Sequence, residues 1–130
     1  MCLYAEPAKE IISRYKGIKV KINSRIDCES KNVVYRVRCN KCGKEYIGET
    51  GRTVKERIQE HIGYINGNKN QPTGVHFNRR GHDICDFRWT AFEKFTNPNP
   101  YYRKAKEEFR INQFDVLEPK GMNKQGPGNI

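Results

Sequence analysis

The chain has 130 residues, with 25 Lys and Arg against 15 Asp and Glu, which gives a net charge of +10 when the histidines are neutral. Hydrophobic residues make up 35% of the sequence and the mean hydropathy is −0.93, so we expect one small domain with a modest core. Neither an apolar run of the roughly 20 residues that a membrane span needs nor a signal-peptide pattern is found, and a membrane protein is therefore not expected. Positive charge without a basic tail favours a polyanionic partner, and nucleic acid is the first candidate.

The beginning of the chain predicts a packing or linker segment. A helix is expected within residues 1–16, because Pro7 suits a first helical turn, Ile11 lies on its apolar side and Gly17 ends it. Residues 17–23 alternate in polarity and predict a short strand. We therefore assign residues 1–26 to an N-terminal helix and linker.

A strand hairpin followed by a helix forms the centre of the predicted domain. β-branched residues and tyrosine favour two strands over residues 33–38 and 45–47, and the turn between them holds Cys39, Cys42 and Gly43. Thr53 and Glu56 form the Thr-x-x-Glu pattern of a capping box, so a helix begins there and continues to about residue 65.

The remainder of the chain predicts a loop, a short turn, a strand and a final helix. The loop covers residues 66–71, a short helical turn follows over 72–80, a third strand covers 86–95, and Asn99-Pro100 begins a helix that runs to about residue 115. The fold class is α+β, with a small mixed or antiparallel sheet of about three strands flanked by helices. The domain spans residues 27–123, and residues 124–130 form a flexible tail.

Cysteines and histidines predict a metal site embedded in this domain. The chain has five cysteines, an odd number, and we expect all of them to be reduced thiols in an intracellular setting. Cys39 and Cys42 form a Cys-x-x-Cys knuckle, and His76 and His82 add two imidazoles, a donor set that suits tetrahedral, structural Zn²⁺. Cys85 is an alternative to one histidine. The competing interpretations are a Cys39–Cys42 disulfide and a set of unrelated surface side chains.

The hairpin and its helix carry a family resemblance in Tyr35, in Tyr46-Ile47-Gly48 and in Arg57. Together these features resemble the GIY-YIG nuclease superfamily, with Val33-Val34-Tyr35 in place of Gly-Ile-Tyr. The Cys-x-x-Cys between the two motifs and the two later histidines are similar to those of the endonuclease domain of Penelope-like retroelements. The resemblance covers residues 27–123 and implies the small α+β fold of that superfamily.

The resemblance also implies a hydrolytic site. Cleavage of a phosphodiester requires a proton acceptor for the attacking water and positive charge at the phosphate. By resemblance, Tyr35 is the general base, a role for which a phenol of pKa about 10 needs a nearby cation, and Tyr46 positions water or phosphate. Arg57 can fork onto a phosphate oxygen, and His61, one helical turn later, relays a proton or orients a tyrosine. Asn123, in a Gly-x-Asn segment, is implied to lie near the site.

A carboxylate for a catalytic metal is expected on the last helix. Family members carry a Glu two residues before an aromatic residue there, which selects Glu107 before Phe109. Glu108 is the alternative, because Arg110 stands where relatives often have Trp. One carboxylate with phosphate oxygens and waters suffices for Mg²⁺ or Mn²⁺. The implied cofactors are therefore a catalytic Mg²⁺ (or Mn²⁺) and a structural Zn²⁺.

The function implied by the resemblance is that of a metal-dependent DNA endonuclease that nicks target DNA. Its DNA contacts are expected at Gly48, Arg52, Lys55 and Arg57. The nick would leave a 5′-phosphate and a 3′-hydroxyl, and in a retroelement the hydroxyl primes reverse transcription. This implies a nuclear protein and a larger polyprotein that includes a reverse transcriptase.

Two other classes of function stay open from the sequence. The first is a non-catalytic, zinc-stabilised nucleic-acid-binding module, which would need no convergence of the two tyrosines, the arginine and the glutamate on one cleft. The second is a redox protein that uses Cys39 and Cys42, which a zinc determination would distinguish.

Overall fold

The computed structural model describes residues 3–124. Its strands are β1 (Glu10–Ile12), β2 (Lys19–Lys21), β3 (Val33–Cys39), β4 (Glu45–Thr50) and β5 (Phe87–Lys94), and its helices are α1 (Val54–Asn66), α2 (Pro72–Phe77) and α3 (Pro100–Phe114), with a 3₁₀ turn at Ile84–Asp86. Among the described residues, no helix has both the length and the apolar character needed to cross a membrane. The flexible tail predicted for residues 124–130 lies outside the described residues, apart from Lys124.

A three-stranded antiparallel sheet in the order β4-β3-β5 forms the centre of the domain. β3 is its middle strand and is buried along almost its whole length, because both faces of the sheet are covered. On one face, Val33, Tyr35 and Val37 pack with residues of α1 and α2. On the other face, Val34 packs with Phe92 of β5 and with residues of α3. The result is a helix–sheet–helix arrangement with apolar contacts on both sides of the sheet.

The predicted α+β fold class is confirmed. The hairpin, the capped helix, the third strand and the final helix lie where the sequence predicts them, within one or two residues at each end, except that β4 continues to Thr50. Thr53 caps α1 through the predicted capping box with Glu56, and Asn99 caps α3 by accepting the backbone N–H of Tyr101. α2 is shorter than predicted and ends at Phe77.

The predicted N-terminal helix is wrong, because this segment forms the β1–β2 hairpin. Ile11 is buried and Ile12 is half exposed, an alternation that belongs to a strand and not to a helix. Lys16 and Gly17 both have positive φ, and they form the tight turn between the strands. The Arg36 guanidinium donates to the Ile12 carbonyl at 2.9 Å, so the hairpin is docked on the sheet. The domain boundary at residue 26 stays a prediction.

The expectation that all five cysteines are free thiols is wrong for Cys28, which is disulfide-bonded. Cys39, Cys42 and Cys85 are free thiols. Cysteine spacing does not reveal which thiols approach one another in the folded chain, and this is why the sequence missed the bond.

Candidate active site and metal centre

Tyr35 lies at the centre of a buried hydrogen-bonded group. β3 points its side chain toward α1, where Arg57 and His61 lie four residues apart on one face of the helix. The Tyr35 hydroxyl is 2.7 Å from His61 Nε2 and accepts a hydrogen bond from Arg57 Nε at 3.0 Å. The structure thus brings together three of the side chains that the resemblance assigns to catalysis.

Gly48 gives the Tyr35 ring its space. The two residues are direct cross-strand partners in the β3–β4 pairing. A Cβ atom built at Gly48 would lie 2.4 Å from the Tyr35 hydroxyl oxygen, a distance that no side chain tolerates. The visible role of Gly48 is therefore steric, and the DNA contact expected at this buried glycine stays a prediction.

His61 connects Tyr35 to a residue that the sequence did not indicate. Its Nδ1 atom lies 2.7 Å from the hydroxyl oxygen of Thr73, at the start of α2. Burial, assisted by the charge of Arg57, lowers the pKa of His61 well below its ordinary value, so the imidazole is neutral. Because Thr73 is neither charged nor part of a motif, nothing in the sequence pattern pointed to this contact.

The two tyrosines share one environment. Their ring centroids are 6.4 Å apart, and the Tyr46 ring is 5.5 Å from the His61 ring. Burial, together with the neighbouring Tyr46, raises the pKa of Tyr35 well above its usual value, although Arg57 opposes this rise. Burial likewise raises the pKa of Tyr46, again against the effect of Arg57. Both phenols are therefore protonated, and Arg57 is the group that favours ionisation of either one.

Arg57 is held by an acidic neighbour as well as by Tyr35. Its Nη1 atom lies 2.9 Å from the carboxylate of Glu60, which also bonds the exposed side chain of Arg52. Burial disfavours the charged guanidinium, but Tyr35, Tyr46 and Glu60 outweigh it and raise the pKa of Arg57. The charge of Arg57 is thus permanent. Sequence reasoning missed Glu60, although its i,i+3 spacing from Arg57 on a helix was a usable signal.

Glu107 lies in a pocket beside this group. The pocket has a volume of about 260 Å³, and Tyr46, Glu107 and Asn123 contribute to its lining. Burial and the nearby carboxylate of Glu49 raise the pKa of Glu107 to about 7. Among the described residues, the Oε2 atom of Glu49 is buried without a hydrogen-bond partner. A divalent cation bound by Glu107 would relieve this unfavourable negative charge, so the pocket fits Mg²⁺ or Mn²⁺. Glu108, the alternative, is exposed outside the pocket.

Asn123 lies beside the same pocket, but its carboxamide is occupied. Its oxygen accepts the backbone N–H of Ile47 at 2.9 Å, and its nitrogen donates to the carbonyl of the same residue at 2.9 Å. The Asn123 side chain thereby pairs with the backbone of β4 at Ile47, next to Tyr46, as the backbone of a neighbouring strand would. The structure gives it a positioning function, and its direct part in catalysis stays a prediction.

Two cysteines and two histidines converge on a separate point. Cys39 ends β3, Cys42 lies in the turn that follows, and the positive φ of Gly43 allows that turn. His76 comes from α2 and His82 from the segment after it. One ligand atom from each of these four residues lies within 4.8 Å of the others. Cys85 is exposed and does not belong to this group.

The chemistry of this group fits a metal ion. Cys42 Sγ is 3.4 Å from His76 Nε2, and the Nε2 atom of His82 is buried without a hydrogen-bond partner among the described residues. Burial, followed by the charges of His82 and Arg79, lowers the pKa of His76 to about 4, so its lone pair is available. Two thiols and two imidazoles in this arrangement are the donor set of a closed zinc site.

The remaining basic residues expected to contact DNA lie in different places. Arg52 is exposed near Arg57, since both bond the same carboxylate of Glu60. Lys55 is exposed on another side of α1, where it borders a pocket with Trp89. Arg52 therefore lies beside the candidate active site, whereas Lys55 does not.

Comparison with known proteins supports the fold. A solved structure of the catalytic domain of the homing endonuclease I-TevI matches with a TM-score of 0.62 and 16% sequence identity, covering 74% of this chain and 100% of that domain. Scanning protein-family models and searching the curated proteins both gave no match. The chain therefore has the α+β fold of that catalytic domain.

Proposed function

We propose that this protein is a metal-dependent DNA endonuclease of the GIY-YIG type. One observation carries the proposal: Tyr35, Tyr46, Arg57 and His61 touch one another, next to a pocket that holds the partly buried carboxylate of Glu107. A protein that only binds nucleic acid has no need of buried phenols beside a fixed guanidinium. The fold shared with the catalytic domain of I-TevI, a homing endonuclease, supports the same reaction class.

Each side chain has a role that follows from its contacts. Tyr35 first gives its hydroxyl proton to the neutral imidazole of His61, whose Nε2 atom lies 2.7 Å away, and as a phenolate it then takes the proton of the attacking water. Arg57, which already donates to the Tyr35 oxygen, stabilises that phenolate. The water oxygen bonds to phosphorus while the bond to the 3′ oxygen breaks, and that oxygen takes up a proton from solvent water as it leaves. The other N–H groups of Arg57 face the charge that develops on the phosphate, and Tyr46 positions the water or the phosphate.

The two implied metal ions have different roles, one in catalysis and one in stabilising the fold. Glu107 would hold Mg²⁺ or Mn²⁺, which supplies Lewis-acid stabilisation of the phosphate and the leaving oxygen. Cys39, Cys42, His76 and His82 would hold Zn²⁺ in a closed site, and that ion would stabilise the fold without taking part in hydrolysis.

The biological setting is the more specific part of the proposal. The Cys-x-x-Cys between the two motifs and the two later histidines resemble Penelope-like retroelements, and their convergence in the fold supports that resemblance. We infer that the domain nicks target DNA in the nucleus, as part of a polyprotein whose reverse transcriptase extends the resulting 3′-hydroxyl. The net charge of +10 suits the DNA partner.

Nicking of supercoiled plasmid, with and without Mg²⁺ or Mn²⁺, tests the proposal. Tyr35→Phe removes one hydroxyl and keeps the ring, and it should slow nicking by about 10²–10⁴ while plasmid binding is retained. Tyr101→Phe, at a tyrosine that is 68% exposed, is the matched control and should nick at the wild-type rate. A folded wild-type protein that binds plasmid but never nicks it would instead favour the non-catalytic binding module.

A further inference from the structure

Two arginines of the candidate active site hold one carboxylate oxygen. Arg52 lies just before α1 and Arg57 lies within it, yet the guanidinium groups of both bond the same oxygen atom, Oε1 of Glu60. The two guanidinium groups are therefore close enough to bind a single oxyanion together. The structure thus contains a two-arginine anion site, and a side chain of the same helix occupies it.

Arg57 links this anion site to Tyr35. Its Nε atom donates to the Tyr35 hydroxyl at 3.0 Å, and its Nη1 atom donates to Glu60 at 2.9 Å. Both nitrogens belong to one planar guanidinium, so an oxyanion in the place of the carboxylate would lie beside the Tyr35 oxygen. In the proposed function, Tyr35 activates the water that attacks a phosphate. A DNA phosphate at the anion site would therefore lie where the reaction needs it.

The contacts of the Glu60 carboxylate are ones that a ligand can replace. Its side chain is 34% exposed and that of Arg52 is 53% exposed, so a ligand in solvent reaches both. Ion pairs with this exposure stabilise a protein little. Burial opposes the ionisation of Glu60, but its bonds to Arg57 and Arg52 outweigh burial and lower the pKa of the carboxyl. Glu60 is therefore an anion at neutral pH, and a DNA phosphate competes with it for the same two cations.

We propose that the Glu60 carboxylate occupies, in the free protein, the position of a DNA backbone phosphate between Arg52 and Arg57, and that bound DNA displaces it. A phosphodiester has two unesterified oxygens, so it can accept hydrogen bonds from both guanidinium groups. The displaced carboxylate loses its arginine partners and repels the phosphate, and each effect weakens DNA binding. Glu60 thus limits the affinity for DNA. The identity of the ligand rests on the proposed function, whereas the arrangement of the three side chains does not.

DNA affinity measured without divalent cation tests this proposal, because the proposed cleavage does not then occur. Glu60→Gln keeps the size of the side chain and removes its charge. The variant should bind a DNA duplex roughly three- to tenfold more tightly than wild type at about 0.15 M salt, since the phosphate no longer competes with a carboxylate. Titration of a fluorescently labelled duplex measures the difference.

Glu56→Gln is the matched control for this measurement. Glu56 lies one turn before Glu60 on the same face of α1, and its carboxylate bonds Thr53. Glutamine also serves in a capping box, so the start of the helix is kept. The control removes the same charge from the same face but leaves the anion site intact. Its affinity for DNA should rise by no more than about twofold at this salt concentration.

Single-turnover nicking separates displacement of Glu60 from a fixed supporting role. If DNA displaces the carboxylate, its bonds to the arginines are absent from the bound ground state and from the transition state. Glu60→Gln should therefore lower the DNA concentration at half-maximal rate by the same factor as the dissociation constant, without a matching change in the maximal rate. A carboxylate that stays on Arg57 during the reaction would give the reverse, a lower maximal rate at unchanged affinity.

Binding and nicking together separate this proposal from the proposed function. If Glu60→Gln binds DNA no more tightly than Glu56→Gln, the proposal is overturned, and a fall in the maximal rate at unchanged affinity overturns it as well. If wild type binds the duplex but does not nick it, the proposed function fails, and the affinity of Glu60→Gln still decides whether Glu60 occupies a phosphate position. If wild type does not bind the duplex, both fail.

Discussion

Glu107→Gln should stabilise the protein at alkaline pH in the absence of added Mg²⁺. Burial and the neighbouring Glu49 raise the pKa of Glu107 from its ordinary value of 4.5 to about 7. The folded state therefore binds this proton more tightly than the unfolded state. Below pH 4.5 the carboxyl is neutral in both states and costs nothing. Stability is lost as the pH rises from 4.5 to 7, and the loss is complete above that range.

The size of this effect follows from the pKa values. Each pKa unit corresponds to about 1.4 kcal/mol, so the full difference for Glu107 is about 3 kcal/mol. Because solvent still reaches the pocket in part, we expect the measured difference in unfolding free energy to be ~2–3 kcal/mol. Glutamine does not titrate, so the variant should exceed wild type by this amount at pH 8 and by much less at pH 5. A carboxylate that destabilises the folded protein in this way is typical of a cation-binding site.

Urea unfolding at a series of pH values between 5 and 8.5 measures the difference. The buffer should contain zinc and no other divalent cation. Glu108→Gln, at the exposed neighbour on the same helix, should follow the wild-type pH dependence. Addition of Mg²⁺ at pH 8 should stabilise wild type and not Glu107→Gln. If Glu107→Gln is no more stable than wild type at pH 8, the metal assignment fails, because it depends on a partly buried carboxylate that Glu49 repels.

Three other predictions concern the metal, the steric fit at Tyr35 and DNA affinity. Elemental analysis should find about one zinc per chain, lost together with folding in Cys39→Ser and retained in the exposed control Cys85→Ser; a folded, reduced, metal-free wild type would contradict this. Gly48→Ala should destabilise by about 1–3 kcal/mol in urea unfolding, because its Cβ would strike Tyr35, whereas Gly63→Ala, with open space around the new methyl group, should be neutral or stabilising; equal stabilities would refute the steric argument. Binding to a DNA duplex should weaken roughly fortyfold between 50 and 200 mM salt if three phosphates are neutralised, and an affinity that does not respond to salt would contradict a basic binding surface.

Local signals predicted the central elements of the fold. The capping box of Thr53 and Glu56 marked the start of α1, and strand-forming residues marked β3 and β4. These features depend on neighbours within a few residues, so the sequence carries them directly. Local signals wrongly predicted a helix where β1 lies. The strand is stabilised by contacts with distant parts of the chain, since Ile11 is buried and Arg36 donates to the Ile12 carbonyl.

The candidate site was only partly accessible to sequence reasoning. The family resemblance supplied the six residues proposed for catalysis, but it did not indicate their partners. The Asn123 carboxamide bonds the backbone of Ile47, 76 residues away, and the hydroxyl of Thr73 meets a ring on a different helix. Such contacts are set by tertiary packing and leave no periodic or spaced pattern.

The comparison of Glu107→Ala with Glu108→Ala in metal-dependent plasmid nicking tests the central claim most directly. The two glutamates are adjacent on α3 and point about 100° apart, so only Glu107 faces the pocket. We predict that Glu107→Ala lowers the single-turnover nicking rate by roughly 10²–10³ at unchanged zinc content and melting temperature, while Glu108→Ala stays near the wild-type rate. Nicking by Glu107→Ala at the wild-type rate would contradict the account.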